Sequence, residues 1–314
     1  MFELSTTRNN PLIDPALHAW GWEIPIYLFL GGLVAGMMII SGYFIFSGRQ
    51  KNPDCACNFL PFFSIFFLTI GMLSLFFDLE NKINVWRLYT TFQLTSPMSY
   101  GAWILILVYP ALVLNIFIRP PQLLINKIPK LKIISDKLYE RSYLIKWIGV
   151  LNMIWGFLLG AYTGVLLSTM SARPLWNSSL LWMLFIVSGL SSAAAFVHMI
   201  ARDRYERELL AKADNGFLTT EIFVIALLLI GLLTSSQSGI NAAKLLLTGP
   251  FASTFWVLVV GIGILIPLPL QLLAVNHKVK HTPIPPLMVI MGGLILRFVI
   301  VYAGQYSNWL NIHF

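Results

Sequence analysis

At 314 residues the chain is 57% hydrophobic and only 11% charged, against roughly half apolar and a quarter charged in soluble domains, which excludes a soluble globular fold. Its formal net charge of +8 arises in short basic stretches between apolar runs and gives no reason to invoke nucleic acid.

Apolar runs of about 20 residues, the length that crosses a bilayer, occur at residues 24–46, 60–79, 98–118, 147–170, 178–201, 217–239, 253–275 and 287–306. The expected fold is therefore an all-α integral membrane protein with eight transmembrane helices. The longest connection, residues 119–146, has 28 residues and leaves no room for a sizeable soluble domain. Near the N-terminus no basic region precedes a small-residue cleavage site, so the first span reads as a retained helix.

Residues 1–23 form a polar lead-in with Pro11 and Pro15, and Trp20 and Trp22 suit the interfacial belt. His18 is either an ordinary surface histidine or a proton donor and acceptor, a role its near-neutral titration suits. Asp14, four residues earlier, shares a face with it if this stretch is helical. Gly31, Gly32, Ala35 and Gly36 let the first span pack closely. Cys55 and Cys57 fall on the expected cytoplasmic side, where thiols stay reduced. Two cysteines with no neighbouring histidine are too few for a tetrahedral metal site or an iron–sulfur cluster, so no metal is expected in this chain.

Asp78 closes the second span. It is either a snorkelling acid paired with Lys82 or Arg87, or a proton acceptor at the rim of a cavity. Ser96, Pro97, Ser99 and Tyr100 open the third span and add hydrogen-bonding groups at the same end. The connection that follows carries seven basic residues against Asp136 and Glu140, a composition for topology and anionic lipid contact. In the fourth span Gly156, Gly160, Gly164 and Ser168 recur every four residues and form one small face for close helix approach. Tyr162 lies on roughly the opposite face, a few ångströms past the expected midpoint. A phenol at that depth needs a hydrogen-bond partner, either a neighbouring helix or a ligand.

In the second half, Arg173 and Trp176 precede the fifth span, and His198 is the only histidine inside any span. Without a second axial ligand, a haem held by two histidines is not expected. Glu221 in the sixth span and Arg297 in the eighth are costly in hydrocarbon and must face protein or water. They serve either a structural pairing or a proton route. Pro267 and Pro269 offer one candidate helix break.

Basic residues stay on the cytoplasmic side of short loops. Five fall on the side of both termini and fifteen on the other, so both termini are expected to face outward, into a periplasm in a Gram-negative host. The halves also repeat: TSPMSYGAW at Thr95 matches TGPFASTFW at Thr248, and IGMLSL at Ile70 matches IGLLTS at Ile230. LFLGGLVAG at Leu28 likewise matches FIVSGLSSA at Phe185, and AYTG at Ala161 matches VYAG at Val301. The shared order predicts a parallel internal repeat, with two four-helix bundles side by side over residues 1–170 and 171–314. Asp78 aligns with Ser238, which concentrates the acids at the outer surface in the first bundle.

Several stretches carry a family resemblance: residues 20–36 (WGWEIPIYLFLGGLVAG), 76–79 (FFDL), 96–103 (SPMSYGAW), 161–168 (AYTGVLLS), 173–177 (RPLWN), 185–193 (FIVSGLSSA) and 296–305 (LRFVIVYAGQ). Together they resemble the NrfD-like polysulfide reductase membrane-subunit family over essentially the whole chain. The resemblance implies eight helices and a menaquinone or ubiquinone site toward the periplasmic face of the inner membrane. It also implies docking to an iron–sulfur electron-transfer subunit that serves a periplasmic catalytic subunit, often a molybdopterin enzyme. In that family a tyrosine of the fourth helix and polar residues of the N-terminal segment hold the quinone carbonyl. Tyr162, His18 and Asp14 fit those positions here, with Tyr100 nearby and Asp78 or His18 to take protons. Glu221 and Arg297 are the candidates for a proton pathway. Where the family continues with Gly-Arg-Pro, this chain has Glu80–Asn81–Lys82, and no role is carried to that turn. The rival expectation from another class is a transporter or proton-translocating channel, and a third is a passive anchor without a quinone of its own.

Overall fold

The computed structural model describes residues 20–79, 81–93, 95–275 and 282–307. Among these, eight helices are long and apolar enough to cross a membrane: α1 (Glu23–Phe46), α2 (Leu60–Asp78), α3 (Pro97–Ile118), α4 (Ser142–Ser168), α5 (Leu181–Ile200), α6 (Arg204–Leu233), α7 (Thr254–Val275) and α8 (Ile284–Tyr306). No strand occurs among the described residues. In hydrocarbon each backbone N–H and C=O must find its partner within the protein, and a helix supplies all of them locally.

Two helices begin well before their apolar runs. α4 starts at Ser142 and α6 at Arg204, because polar turns outside the hydrocarbon continue the same helix. The start of α6 is fixed by Asp203, whose carboxylate accepts the Tyr205 N–H at 3.1 Å in an N-cap. α6 stops at Leu233, earlier than its apolar run suggests, and an amphipathic helix, Gln237–Leu247, follows. Ser238 therefore falls in that second helix, whereas Asp78 is the last residue of α2. The break expected at Pro267 and Pro269 is a change of helix type within α7, π-helical over Thr254–Leu265 and α-helical over Pro267–Val275. The wider turn coincides with a tight crossing: a Cβ on Gly263 would lie 2.7 Å from the Gly292 Cα of α8.

α1 packs on α2 and α4, and α3 packs on α4 and α2. The same neighbour relations recur among the last four spans, with α5 on α6 and α8 and α7 on α8 and α6. The halves meet where α1 packs on α5 and α8 and where α4 packs on α5. α1 is the innermost element, with 89% of its apolar window buried, which explains why it is hydrophobic all round.

The glycines make these close approaches possible. A Cβ on Gly156 would sit 2.7 Å from Ala35 O, Gly160 faces the Ala35 Cβ, and Gly164 lies against the backbone of Trp182 at the start of α5. The small face of α4 thus serves α1 and then α5, as its spacing predicts. It ends at Gly164, since Ser168 is half-exposed and bonds its own helix at Val165 O.

Each end of the bundle is tied across the seam. At the end where α1 begins, hereafter the Trp20 end, the Trp20 N–H donates to Gln305 Oε1 and Gln305 Nε2 donates to Trp20 O, both at 3.0 Å. The Trp20 ring stacks on Trp176 at 5.0 Å. At the opposite, basic end, Arg49 bridges Asp203 and Glu206, and Glu206 accepts the Ala56 N–H at 2.9 Å. Arg119 donates to Gln50 O, and Ser135 donates to Ile118 O at 2.8 Å, which folds the basic connection back onto α3. Cys55 and Cys57, expected as separate reduced thiols, are paired with each other as a buried disulfide in this loop.

Candidate functional site: a buried phenol pair at the Trp20 end

Tyr162 lies six residues before the end of α4, about 9 Å from it at the helical rise. It is therefore nearer the Trp20 end than the apolar run alone suggests, because α4 extends farther at its other terminus. The residue is 9% exposed, and the hydroxyl end of its ring lies against Gly101 of α3, where any Cβ would overlap the ring and its hydroxyl. Beside it stands Tyr27 of α1, 3% exposed and within interaction range of the Tyr162 phenol. Tyr27 Oη has no hydrogen-bond partner of ordinary geometry among the described residues. A buried hydroxyl without a partner costs about 1–3 kcal/mol, and such an atom marks a place where a ligand or water belongs.

A third phenol comes from the short helix Arg87–Thr90 after α2. Tyr89 lies within electrostatic range of Tyr27, Tyr162 and Tyr109. Burial, and then the Tyr109 phenol, push its hydroxyl above the ordinary tyrosine range, so it remains a protonated donor at neutral pH. Ser99 at the start of α3 holds this segment in place by accepting the Gln93 N–H at 3.1 Å.

The other residues singled out from the sequence divide. Asp78 is half-buried at the end of α2, within electrostatic range of Glu23 at the start of α1. The pairing with Lys82 or Arg87 does not form: Lys82 lies over the Phe77 ring at 5.8 Å and Arg87 over Trp86 at 5.8 Å. Tyr100 turns outward, 43% exposed, with its ring edge-on to Phe92 at 6.0 Å. Its neighbour Gly101 is the residue that faces Tyr162. His18 and Asp14 lie outside the described residues. Glu221 and Arg297 sit in the interior of the second half, 4% and 1% exposed, within electrostatic reach of each other.

Sequence reasoning misses Tyr27, Tyr89, Gly101 and Asp214. Tyr27 and Glu23 share one helical face at the start of α1, a signal that is available in the sequence. Asp214 escapes because it precedes the apolar run of the sixth span. Only the extension of α6 to Arg204 brings it inside, where it is 1% exposed.

At the Trp20 end, a cavity of about 400 Å³ opens at the seam of the two halves, lined by Trp20, Met170, Arg173, Trp176 and Gln305 among others. Burial pulls the Arg173 guanidinium below its usual range, and Arg173 donates to Ser307 O at 3.2 Å. Gln305 holds Trp20 over this cavity by two hydrogen bonds, each worth about 1 kcal/mol net. Gln305→Ala should therefore release residue 20 from α8, measured as faster proteolytic nicking near the N-terminus with the helical content unchanged.

The fold is that of an eight-span helical membrane protein with a buried phenol pair and a polar cavity toward one end. Among the described residues, no three histidine, cysteine, aspartate or glutamate side chains cluster to hold a metal ion. A profile of the family described as "Polysulphide reductase, NrfD" matches residues 10–307, and the protein belongs to that family. It is 30% identical over 305 residues to the C subunit of polysulfide reductase from Wolinella succinogenes, with 91% of this sequence and 94% of the relative covered. Protein NrfD homolog of Haemophilus influenzae is 31% identical over 316 residues, with 94% and 97% covered. Protein NrfD of Escherichia coli is 30% identical over 307 residues, with 91% and 95% covered.

Proposed function

We propose that this protein is the quinone-reactive membrane subunit of a respiratory oxidoreductase complex, passing electrons between the quinone pool and an iron–sulfur subunit. One observation carries the reading: Tyr162, seated against Gly101, meets Tyr27 of a second helix, and the two phenols interact with each other, the Tyr27 hydroxyl having no hydrogen bond of ordinary geometry among the described residues. A quinone head group, of menaquinone or ubiquinone, offers carbonyl oxygens that complement such donors, so the residues present fit the group. When bound, it supplies two-electron, two-proton redox chemistry.

Tyr162 Oη, positioned by the Gly101 notch, would donate to the head group. Tyr27 Oη, which faces the Tyr162 phenol, would complete the donor set, with Tyr89 as a third protonated phenol within electrostatic range. Asp78 at the rim receives protons, where its ionised form is within reach of water. His18 and Asp14 of the lead-in are assigned to the same rim.

The Trp20 end faces the periplasm of an inner membrane in this reading, with both termini on that side. It docks the iron–sulfur subunit, which in turn serves a catalytic subunit, a molybdopterin enzyme in the reading we adopt. Residues 1–170 form the quinone-binding bundle and residues 171–314 its repeat. The relatives named for polysulfide reductase and for NrfD support this assignment to a respiratory complex.

Tyr162→Phe keeps the ring on Gly101 and removes only the donor. In the purified complex it should slow quinol-driven turnover about tenfold or more, the low end for a positioned proton-transfer group, while turnover with an artificial dye donor stays unchanged. Equal loss with both donors would mean that the variant damages assembly, and no loss with either would remove Tyr162 from the reaction.

A further inference from the structure

The basic connection between α3 and α4 carries chemistry that the phenol site does not use. Within it Lys130–Glu140 form a helix, whose middle is tied down by Ser135: its hydroxyl donates to O of Ile118, the last residue of α3. Only Arg141 separates this helix from α4. It therefore stays near the level where these two spans leave the hydrocarbon.

That level is marked independently on α4. Tyr143 and Trp147, four residues apart, share one helical face and are both exposed. Tyrosine and tryptophan on the surface of a membrane protein collect at headgroup depth, so the connection helix lies beside an interfacial aromatic belt.

The circumference of the helix divides into three sides. Leu131, Ser135 and Leu138 form the side that packs against the protein. Lys132, Asp136 and Glu140 are exposed and fall within about 80° of one another at 3.6 residues per turn, a mixed-charge side suited to water. Ile133, Lys137, Lys130 and Ile134 follow in that order around the remaining side, within about 100°. Both isoleucines are uncovered, 58% and 40% exposed, and the two lysines stand between them. Among the described residues no carboxylate forms an ion pair with Lys130 or Lys137.

Uncovered isoleucines favour hydrocarbon, and the lysines between them favour an anion. An anionic phospholipid supplies both at the depth where this helix lies, a phosphate in the headgroup and acyl chains beneath it. An acidic protein surface supplies the charge alone.

We propose that the Lys130–Glu140 helix is a binding site for anionic phospholipid of the leaflet at the basic end, with Lys130 and Lys137 receiving headgroup phosphates and Ile133 and Ile134 seated against acyl chains. The two lysines are seven residues and about 10 Å apart along the helix, so each meets its own phosphate. Lipid held there braces the connection against α3 and α4 together. The site requires nothing of the phenol pair and stands whether or not a quinone binds there.

The test uses the full chain reconstituted into phosphatidylcholine vesicles containing a minor share of phosphatidylglycerol. After extraction in mild detergent, the phospholipid retained per protein is counted by mass spectrometry. The native chain should retain phosphatidylglycerol in preference to phosphatidylcholine. Lys130→Gln and Lys137→Gln should each weaken that preference about fivefold, the contribution of one lysine near a charged surface. Lys132→Gln removes the same charge from the watery side and should leave the preference unchanged. Retention in the proportions of the vesicle would overturn the proposal and assign this face to a protein partner or a second copy. Equal losses in all three variants would overturn it as well, since the attraction would then be general to the basic end. A second measurement needs no variant: trypsin should cleave the native chain after Lys130 and Lys137 more slowly in vesicles with phosphatidylglycerol than in phosphatidylcholine alone, and equal rates would also sink the assignment.

Discussion

Gly101→Ala is expected to slow quinol-driven turnover at least as much as Tyr162→Phe, although it adds only a methyl group and removes no hydroxyl. The ideal Cβ at position 101 overlaps the Tyr162 ring and its oxygen, so either the ring leaves its notch or α3 moves away from α4. Overpacking of this kind typically costs about 1–3 kcal/mol, and here the displaced group is the one that positions the head group. A double-mutant cycle separates the two readings. In a Tyr162→Ala background the space above residue 101 is vacant, so adding Gly101→Ala should change neither stability nor residual turnover. Additive losses would show that Gly101 matters to α3 itself and not through Tyr162. Dye-driven turnover, measured in parallel, should stay near the native level in every variant that assembles.

The parts legible in the sequence are those set by composition and spacing. Eight spans follow from apolar length alone, because a bilayer imposes one dimension on every crossing element. The small face of α4 is legible because glycines at every fourth position have few other uses in an apolar helix. The phenol pair is half legible. Tyr162 stands out by its depth, whereas Tyr27 becomes significant only once α1 and α4 pack together, a tertiary fact with no local signature.

Charged groups are misjudged where helices outrun their apolar runs. Asp214 reads as part of a connection because hydropathy falls at residue 216, yet the backbone continues helically inward from the Asp203 cap. One of the two readings of Asp78 pairs it with Lys82 or Arg87, and those cations instead lie over aromatic rings close in sequence. Ring contacts of that kind cannot be told from ion pairs by spacing.

Gly189→Ala should destabilise the protein, whereas Gly231→Ala should leave it unchanged or slightly stabilise it, though both are glycine-to-alanine changes within helices. A Cβ on Gly189 of α5 would lie 2.7 Å from Gly32 O of α1, and one on Gly36 would lie 2.7 Å from Gly189 O. The two helices therefore interlock by backbone at the seam between the halves, with no side chain that can yield. Separating them by even a few tenths of an ångström also loosens Arg297, since a Cβ on Gly32 would lie 3.4 Å from its Nη2. A loss of about 1–3 kcal/mol is expected for Gly189→Ala. Gly231 has nothing within 4 Å of its added Cβ, so only the helix propensity changes, by up to about 1 kcal/mol in favour of alanine. Thermal unfolding of the two variants in the same detergent should move the transition in opposite directions or move only that of Gly189→Ala. Equal shifts would mean that the halves do not depend on this crossing for their association.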